Sequence, residues 1–472
     1  MAVGTLLFSV CWFLANGVSG DFWYLAWLAP IPILLATFYV PAKTTFVIAL
    51  VACLLGRLSY FFYLVHVATI SVAIVVTLLL SLVFAFIVLL TRRTVVKTNA
   101  WYSIFAFPAL FTAFEYMMTK LSADGTSSSI AYSQSDFLPV VQIASVAGIS
   151  GITFFLTFIP SSIAVGLYYR KQRNKLRCII VVTIAISIAV IGFSAARLSR
   201  SSEKNTIKAG LIVLDENLHN TSRHPDFEKE KVITAAYSSR IAKLADRGAQ
   251  LIVLPEKAIN IKKETAPGIM EKLCNAARQN HVFIIAGYVN YRNLQEYNSA
   301  LVINTEGKIL ADYNKVYLVK GWEDRFAKGN SVGLYSFLNT NVGIAICKDL
   351  DFPDYMRNYG KLGIAFITIP AWDFVVDDWL HSRMAIIRGV ENGFSEIRTA
   401  REGRLTISDS YGRITAEAIS SADKEADLVG NVSLQKENTF YDEFGDWLGI
   451  VSLLLSGWFL FSTIKIKRRH LT

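Results

Sequence analysis

The chain has 472 residues, 53% of them hydrophobic and only 18% charged, with a formal net charge of +10. That balance excludes a disordered chain and an ordinary soluble domain, and points to a membrane protein with a soluble part. The basic excess reads as cytoplasmic loops rather than a nucleic-acid surface, since no DNA- or RNA-binding motif accompanies it.

The first 200 positions are filled by apolar segments of bilayer length, each needing about 20 residues. Spans are expected near 3–20, 22–40, 44–64, 67–91, 101–119, 147–169 and 178–197, with an eighth near 446–464. The first is no cleaved signal, because it lacks a basic start and another apolar span follows at once. Arg92, Arg93 and Lys97 form one basic cluster, Arg170, Lys171, Arg173, Lys175 and Arg177 a second, and Lys465, Lys467, Arg468 and Arg469 a third. Eight spans put all three on one side, which the positive-inside rule makes cytoplasmic. The segment between spans seven and eight then faces outward. Arg197 and Arg200 weigh weakly against this. The expected domains are a membrane bundle over 1–200, a soluble domain over 201–440, and a final span with a basic tail over 441–472.

Polar residues within the bundle stand out. Arg57 lies inside the third span, where a charge is a functional hint. It can contact a substrate headgroup, snorkel, or pair with Glu115 of the fifth span. Tyr132 and Gln134 in "YSQ" read either as an interfacial anchor or as substrate contacts.

From about 201 to 440 charges become frequent and the pattern turns to α/β. Strands are expected at 207–215, 249–256, 281–289, 299–307, 342–347 and 362–370, with helical stretches such as 226–247 and 267–280 between them. Reactive side chains close three apolar runs. Glu256 ends "LIVLPE", Lys315 follows "ILADYN", and Cys347 ends "VGIAIC". Ligands of α/β sheets gather at the carboxyl ends of strands. A carboxylate can take a thiol proton, and an ammonium favours both a thiolate and an oxyanion. Glu, Lys and Cys therefore suffice for acyl transfer. Taken singly, each has a bland reading: a surface turn, a solvated lysine, a buried thiol. Trp322 and Trp372 read as lining for an acyl groove or as core.

The histidines offer less. His66 lies in a span and His470 in the tail, while His219, His224, His281 and His381 sit in no catalytic motif, so a Cys–His protease has less support. The five cysteines (Cys11, Cys53, Cys178, Cys274 and Cys347) are scattered without a CxxC pair. Neither a disulfide framework nor a zinc site is indicated, and no metal or cofactor is expected.

At Glu256, Lys315 and Cys347 the sequence resembles the nitrilase, or carbon–nitrogen hydrolase, superfamily. "RGVENG" (388–393) resembles that superfamily's helix ending in Arg, Glu and Gly. Membrane spans on both sides narrow the resemblance to the apolipoprotein N-acyltransferase family. "LAWLAPIPIL" (25–34), "FEY" (114–116), "YSQSDFLPVVQIASVAGISGITFF" (132–155) and "FYDEFGDW" (440–447) look like its membrane strings. Glu323 matches its second active-site Glu, and Trp372 in "IPAWDF" its site tryptophan.

The resemblance implies an αββα sandwich held outside a bacterial inner membrane by an eight-span bundle. It implies Glu256 as general base, Lys315 as oxyanion stabiliser, Cys347 as nucleophile, and Glu323 and Asp349 as support. It implies a phospholipid acyl donor, a diacylated lipoprotein acceptor and a monomer. A membrane-tethered amidase, or an acyltransferase for a different amine, is the alternative. The chain departs from the family at "DGTSSS" (124–129), at "VKGWE" (319–323), and after the nucleophile, where "CKD" puts Lys348 for an aromatic and Asp349 for Glu.

Overall fold

A computed structural model describes residues 2–15, 18–200, 205–215, 226–262, 266–292 and 295–469. His219, His224 and His470 lie outside the described residues. The chain divides into two compact units, Met1–Ser199 with Phe444–Thr472, and Arg200–Glu443.

The first unit is helical. A helical element falls in each of the eight expected stretches. Among the described residues, four helices are long and apolar enough to cross a membrane: Ile70–Thr98, Ala144–Tyr168, Arg173–Leu198 and Trp447–Ile464. A fifth crossing arises if Ala42–Gly56 and Leu58–Val67, bent by 50°, count as one. Ala2–Ala15 and Leu25–Phe38 are apolar but shorter, and Ala106–Leu121 carries Glu115 and Lys120. These three leave five of the eight expected spans by length and composition, or four when the halves of the bent pair are taken separately.

Large apolar side chains such as Val75, Ile188 and Leu454 point outward, as a lipid-facing surface requires. Close packing of the helices rests on small residues. A Cβ on Gly449 would lie 2.5 Å from the Tyr116 ring. The helix Ala144–Tyr168 breaks at Ala147 and Gly148, where Gly148 has φ 61°. Trp447 Nε1 donates to the Val146 carbonyl beside the break at 2.8 Å, and Asp446 pairs with Lys120 at 2.8 Å. The "GDW" string thus fixes the last helix to its neighbours.

The second unit is a four-layer sandwich. One sheet holds β1 (Thr206–Val213), β2 (Leu251–Val253), β3 (Ile259–Lys262), β4 (Phe283–Arg292), β5 (Gln295–Ile303), β6 (Ile309–Asn314) and β13 (Ala426–Ser433). The other holds β7 (Gly333–Phe337), β8 (Thr340–Ile344), β9 (Phe366–Trp372), β10 (Ser395–Arg401), β11 (Arg404–Ser408) and β12 (Ile414–Ile419). β1, β2 and β4 run parallel, as do β8, β9 and β10, while the remaining neighbours along each sheet's path are antiparallel.

Alternate residues of the two sheets, among them Leu211, Val253 and Ala300 on one and Ile344, Ile397 and Ile407 on the other, form the inner core. Helices Phe227–Asp246 and Ala266–Asn280 cover one outer face through Ile233, Tyr237, Ile269 and Leu273. Helices Pro353–Lys361 and Asp378–Asn392 cover the other through Met356, Tyr359 and Ala385. The expected αββα architecture is present. Two strands end earlier than expected: β2 stops at Val253 and β8 at Ile344, so Glu256 and Cys347 sit in the turns beyond them.

Candidate active site

Three turns at the carboxyl ends of β2, β6 and β8 bring the reactive side chains together. Lys315 follows β6 directly. Its Nζ lies 2.9 Å from Glu256 Oε1 and 2.8 Å from Glu323 Oε2. All three residues are almost fully buried. Asn298, the residue of β5 whose carbonyl accepts the Lys315 N–H, donates Nδ2 to Glu256 Oε1 and to Glu323 Oε1. Lys257 adds an ion pair to Glu323 at 2.9 Å and lies 3.6 Å from Glu256 Oε1. Two carboxylates and two ammoniums thus balance.

The two carboxylates are not equivalent. Glu323 receives donors on both oxygens: Lys257 and Asn298 on Oε1, Lys315 and the Val319 amide on Oε2. Burial raises its pKa, but Lys315 and Lys257 outweigh that and hold it well below the usual carboxylate range. Among the described residues, every hydrogen bond accepted by Glu256 falls on Oε1. Its Oε2 is left to take a proton. Burial alone would lower the Lys315 pKa, but Glu256 and Glu323 keep the ammonium well above its ordinary range.

Cys347 opens a 3₁₀ turn over Cys347–Asp351, with φ 45°. Lys257, next to Glu256, has φ 51°. Left-handed backbone at non-glycine residues stores strain and is concentrated at functional turns. The Cys347 thiol donates to the Trp372 carbonyl at 3.6 Å. Burial pushes that thiol well up, Glu256 pushes it further, and Lys315 draws it back in part. At neutral pH the resting group is a thiol, which needs a base to react.

Asp349 joins the nucleophile turn to the lysine turn. Its Oδ1 accepts from the Val316 and Tyr317 amides at 3.1 and 2.8 Å, and its Oδ2 from the Ile346 amide and the Tyr313 hydroxyl at 2.9 and 2.7 Å. Burial nevertheless raises its pKa to about 6. Lys348 lies 3.9 Å from Asp351, nearly buried. Behind the turn Arg398 binds Asp373 through both carboxylate oxygens.

The other expected residues divide between the two units, and Trp372 borders this cluster through its carbonyl, which accepts from Cys347. Trp372 is held under the Arg401 guanidinium, 4.0 Å from its ring centroid, with Lys257 at 5.0 Å. Trp322 is 62% exposed, its ring 5.2 Å from that of Phe374, and Val375 and Val376 beside Phe374 are also exposed. In the helical unit, Glu115 accepts from Ser129, Thr153 and the Ile130 amide rather than pairing with Arg57. Gln134 bonds Trp27 Nε1 at 2.8 Å and the Trp23 carbonyl at 3.0 Å, and the Tyr132 hydroxyl bonds Thr126. These last two polar groups are taken up by the helical unit itself.

Asn298 and Lys257 are site residues that the sequence reading missed. Their only trace is a polar residue at the head of "NSALVI" and a second lysine after "LPE". Among the described residues no group of His, Cys, Asp and Glu could hold a metal ion.

The carbon–nitrogen hydrolase family model matches residues 219–432. The model for the apolipoprotein N-acyltransferase N-terminal domain matches residues 7–161. An apolipoprotein N-acyltransferase of Geobacter metallireducens is 25% identical, over 89% of this chain and 87% of that protein. One from Haemophilus ducreyi is 24% identical, over 95% of this chain and 92% of that protein. Among solved structures, an amidase from Nesterenkonia sp. aligns with a TM-score of 0.44 at 17% identity, over 51% of this chain and 94% of that one. With both matched regions in order along one chain and relatives that span nearly all of it, the chain belongs to the apolipoprotein N-acyltransferase family of the carbon–nitrogen hydrolase superfamily.

Proposed function

We propose that this chain moves an acyl group from a phospholipid, through a thioester on Cys347, to the N-terminal amine of a diacylglyceryl-cysteine lipoprotein. The observation that carries the mechanism is the contrast between the two glutamates. Glu323 is saturated by four donors and fixes Lys315, while Glu256 keeps one oxygen open beside a high-pKa thiol.

In the first half-reaction Glu256 takes the Cys347 proton as sulfur attacks the ester carbonyl. The negative charge that develops on the carbonyl oxygen is met by the Lys315 ammonium. The tetrahedral adduct collapses, the ester C–O bond breaks, and Glu256 returns its proton to the departing lysophospholipid alkoxide. In the second half the amine attacks the thioester, Glu256 removes a proton from nitrogen, and the C–S bond breaks as sulfur regains a proton. Glu323, Asn298 and Asp349 hold the three turns in register. The exposed Trp322, Val375 and Val376 give the α/β unit an apolar lip suited to acyl chains. Eight spans with the α/β unit on the periplasmic side of a bacterial inner membrane complete the proposal. The three basic clusters, which eight spans would set on one side, support it.

Intact-mass measurement on purified protein incubated with phospholipid tests the first half. An acyl-sized adduct with release of lysophospholipid is expected in the wild type and is absent in Cys347→Ser. Lack of both in the wild type overturns the proposal. Conversion of a diacylated lipopeptide to its triacylated form tests the second half. Adduct formation without that conversion points to another acceptor, and ammonia release from small amides in place of an adduct points to an amidase.

A further inference from the structure

A cation within the helical unit takes no part in the chemistry above. Arg57 sits at the joint between Ala42–Gly56 and Leu58–Val67, where the helix axis turns by 50°. The residue is 6% exposed. Among the described residues, its Nε and Nη1 are buried without a hydrogen-bond partner. A guanidinium stays charged in a protein, and a buried charge without a partner is strongly unfavourable. Glu115 lies within electrostatic reach, but its carboxylate is occupied by Ser129, Thr153 and the Ile130 amide. Nε and Nη1 of Arg57 remain open.

The same joint supplies more donors. Helix Leu58–Val67 starts at Arg57 with no side-chain cap, so its positive end and first-turn N–H groups lie there. The Ser59 hydroxyl on that turn is also buried without a partner, as are Thr77 and Ser81, one turn apart on the adjoining helix Ile70–Thr98. Ser81 and Arg57 both approach the thiol of Cys53, one helical turn before Arg57; that thiol is a weak sulfur acceptor and does not balance the guanidinium charge. A broken membrane helix whose second half aims its N-terminus at one spot is a recurrent seat for an anion. The requirement is several acceptor oxygens with one negative charge, which a phosphate oxyanion meets and a guanidinium binds in two-pronged fashion. The outer faces of both half-helices are apolar and exposed, through Val51, Leu55, Leu58 and Phe62. That favours an anion that carries acyl chains over a free one.

We propose that Arg57, the N-terminus of Leu58–Val67 and the hydroxyls of Ser59 and Ser81 seat the phosphate of a phospholipid within the helical unit. The proposal borrows from the acyl-transfer reading only that a phospholipid is the donor. Binding is therefore measured on full-length protein carrying Cys347→Ser, so that no turnover occurs. The probes are phosphatidylglycerol, diacylglycerol with the same chains, and inorganic phosphate, read by native mass spectrometry and by lipid-induced rise in unfolding temperature.

Phosphatidylglycerol is expected to bind about tenfold or more tighter than diacylglycerol, the size of one charge-assisted pair. Arg57→Gln abolishes that preference and Arg57→Lys keeps part of it. Ser81→Ala, a milder change, lowers the preference and carries the test if Arg57→Gln does not fold. An unchanged preference in the folded variants overturns the proposal, and so does displacement of the lipid by inorganic phosphate at equal concentration. Loss of thioester formation in the Cys347 protein with the preference intact counts against the acyl-transfer reading alone.

Discussion

Two glutamates share one lysine in this site, and their free lone pairs separate their roles. Glu256→Gln can keep its carbonyl toward Lys315 and Asn298 and turn its amide to the open side. The fold is expected to survive while acyl-adduct formation slows by about 10²–10⁴-fold, the range of a lost general base. Glu323→Gln has no such outlet, since both oxygens already face donors. Both variants take a partner from the buried Lys315, at a cost of about 3–5 kcal/mol, but in Glu323→Gln the amide must in addition oppose an ammonium or an N–H, so this variant is the less stable of the two. Thermal unfolding and single-turnover acylation of the two variants check this. Equal unfolding temperatures would remove the distinction. Asp349→Asn also breaks a four-donor carboxylate, but through amides of two different turns, so its effect belongs to the loops more than to the reacting atoms.

Among the elements, β4 sets the position of the base. A Cβ on Gly287 would stand 2.2 Å from the Pro255 carbonyl oxygen and 2.8 Å from Glu256 Cα. Both are backbone atoms, so the turn that carries Glu256 must move. Gly287→Ala is expected to slow acylation by about 10²-fold, as for a displacement of about 1 Å in a catalytic group, with a smaller loss of thermal stability. Acylation at the wild-type rate with a wild-type melting curve would refute it. This element also shows where sequence reading stops. Apolar runs marked six strands, two of which end on Glu256 and Cys347, and the further run "ILADYN" stands before Lys315, because periodicity reports burial. It could not show that β8 ends at Ile344 and that Cys347 turns back with positive φ, since a 3₁₀ turn leaves no period. Nor could it find Asn298, whose partners Glu256 and Glu323 are 42 and 25 positions away. Long-range pairing of single polar residues has no local signature. The helical unit was legible as apolar segments, whereas the bend at Arg57 and the break at Gly148 needed packing to define them.

Over the whole α/β unit, buried ionisable groups lie behind the nucleophile as well as beside it, and they give the fold a pH dependence. Burial raises Glu396 of β10 from its ordinary range to about 8, with Arg398 and Arg388 offsetting part of this and Glu391 adding to it. His381 is opposed by burial but held by Asp377, 3.1 Å away, and by Asp373, which together raise it to about 9. Both groups hold protons in the folded state that the unfolded chain releases at lower pH. For Glu396 the window runs from about 4.5 to 8, and for His381 from about 6.5 to 9. In those windows the folded state binds more protons, so stability falls as pH rises. Full stabilisation from Glu396 is present below its unfolded value and is lost on passing 8, and that from His381 is lost on passing 9. Thermal unfolding of the full-length protein from pH 6 to 9.5 is therefore expected to show a falling unfolding temperature for the transition of this unit. Glu396→Gln keeps the uncharged shape and removes one of the two titrations, so its slope below pH 8 flattens and the variant overtakes the wild type above pH 8. The drop between pH 8 and 9 persists, because His381 still loses its proton. A wild-type transition that is level or rises over this range would mean that neither group is held protonated by its burial and its neighbours.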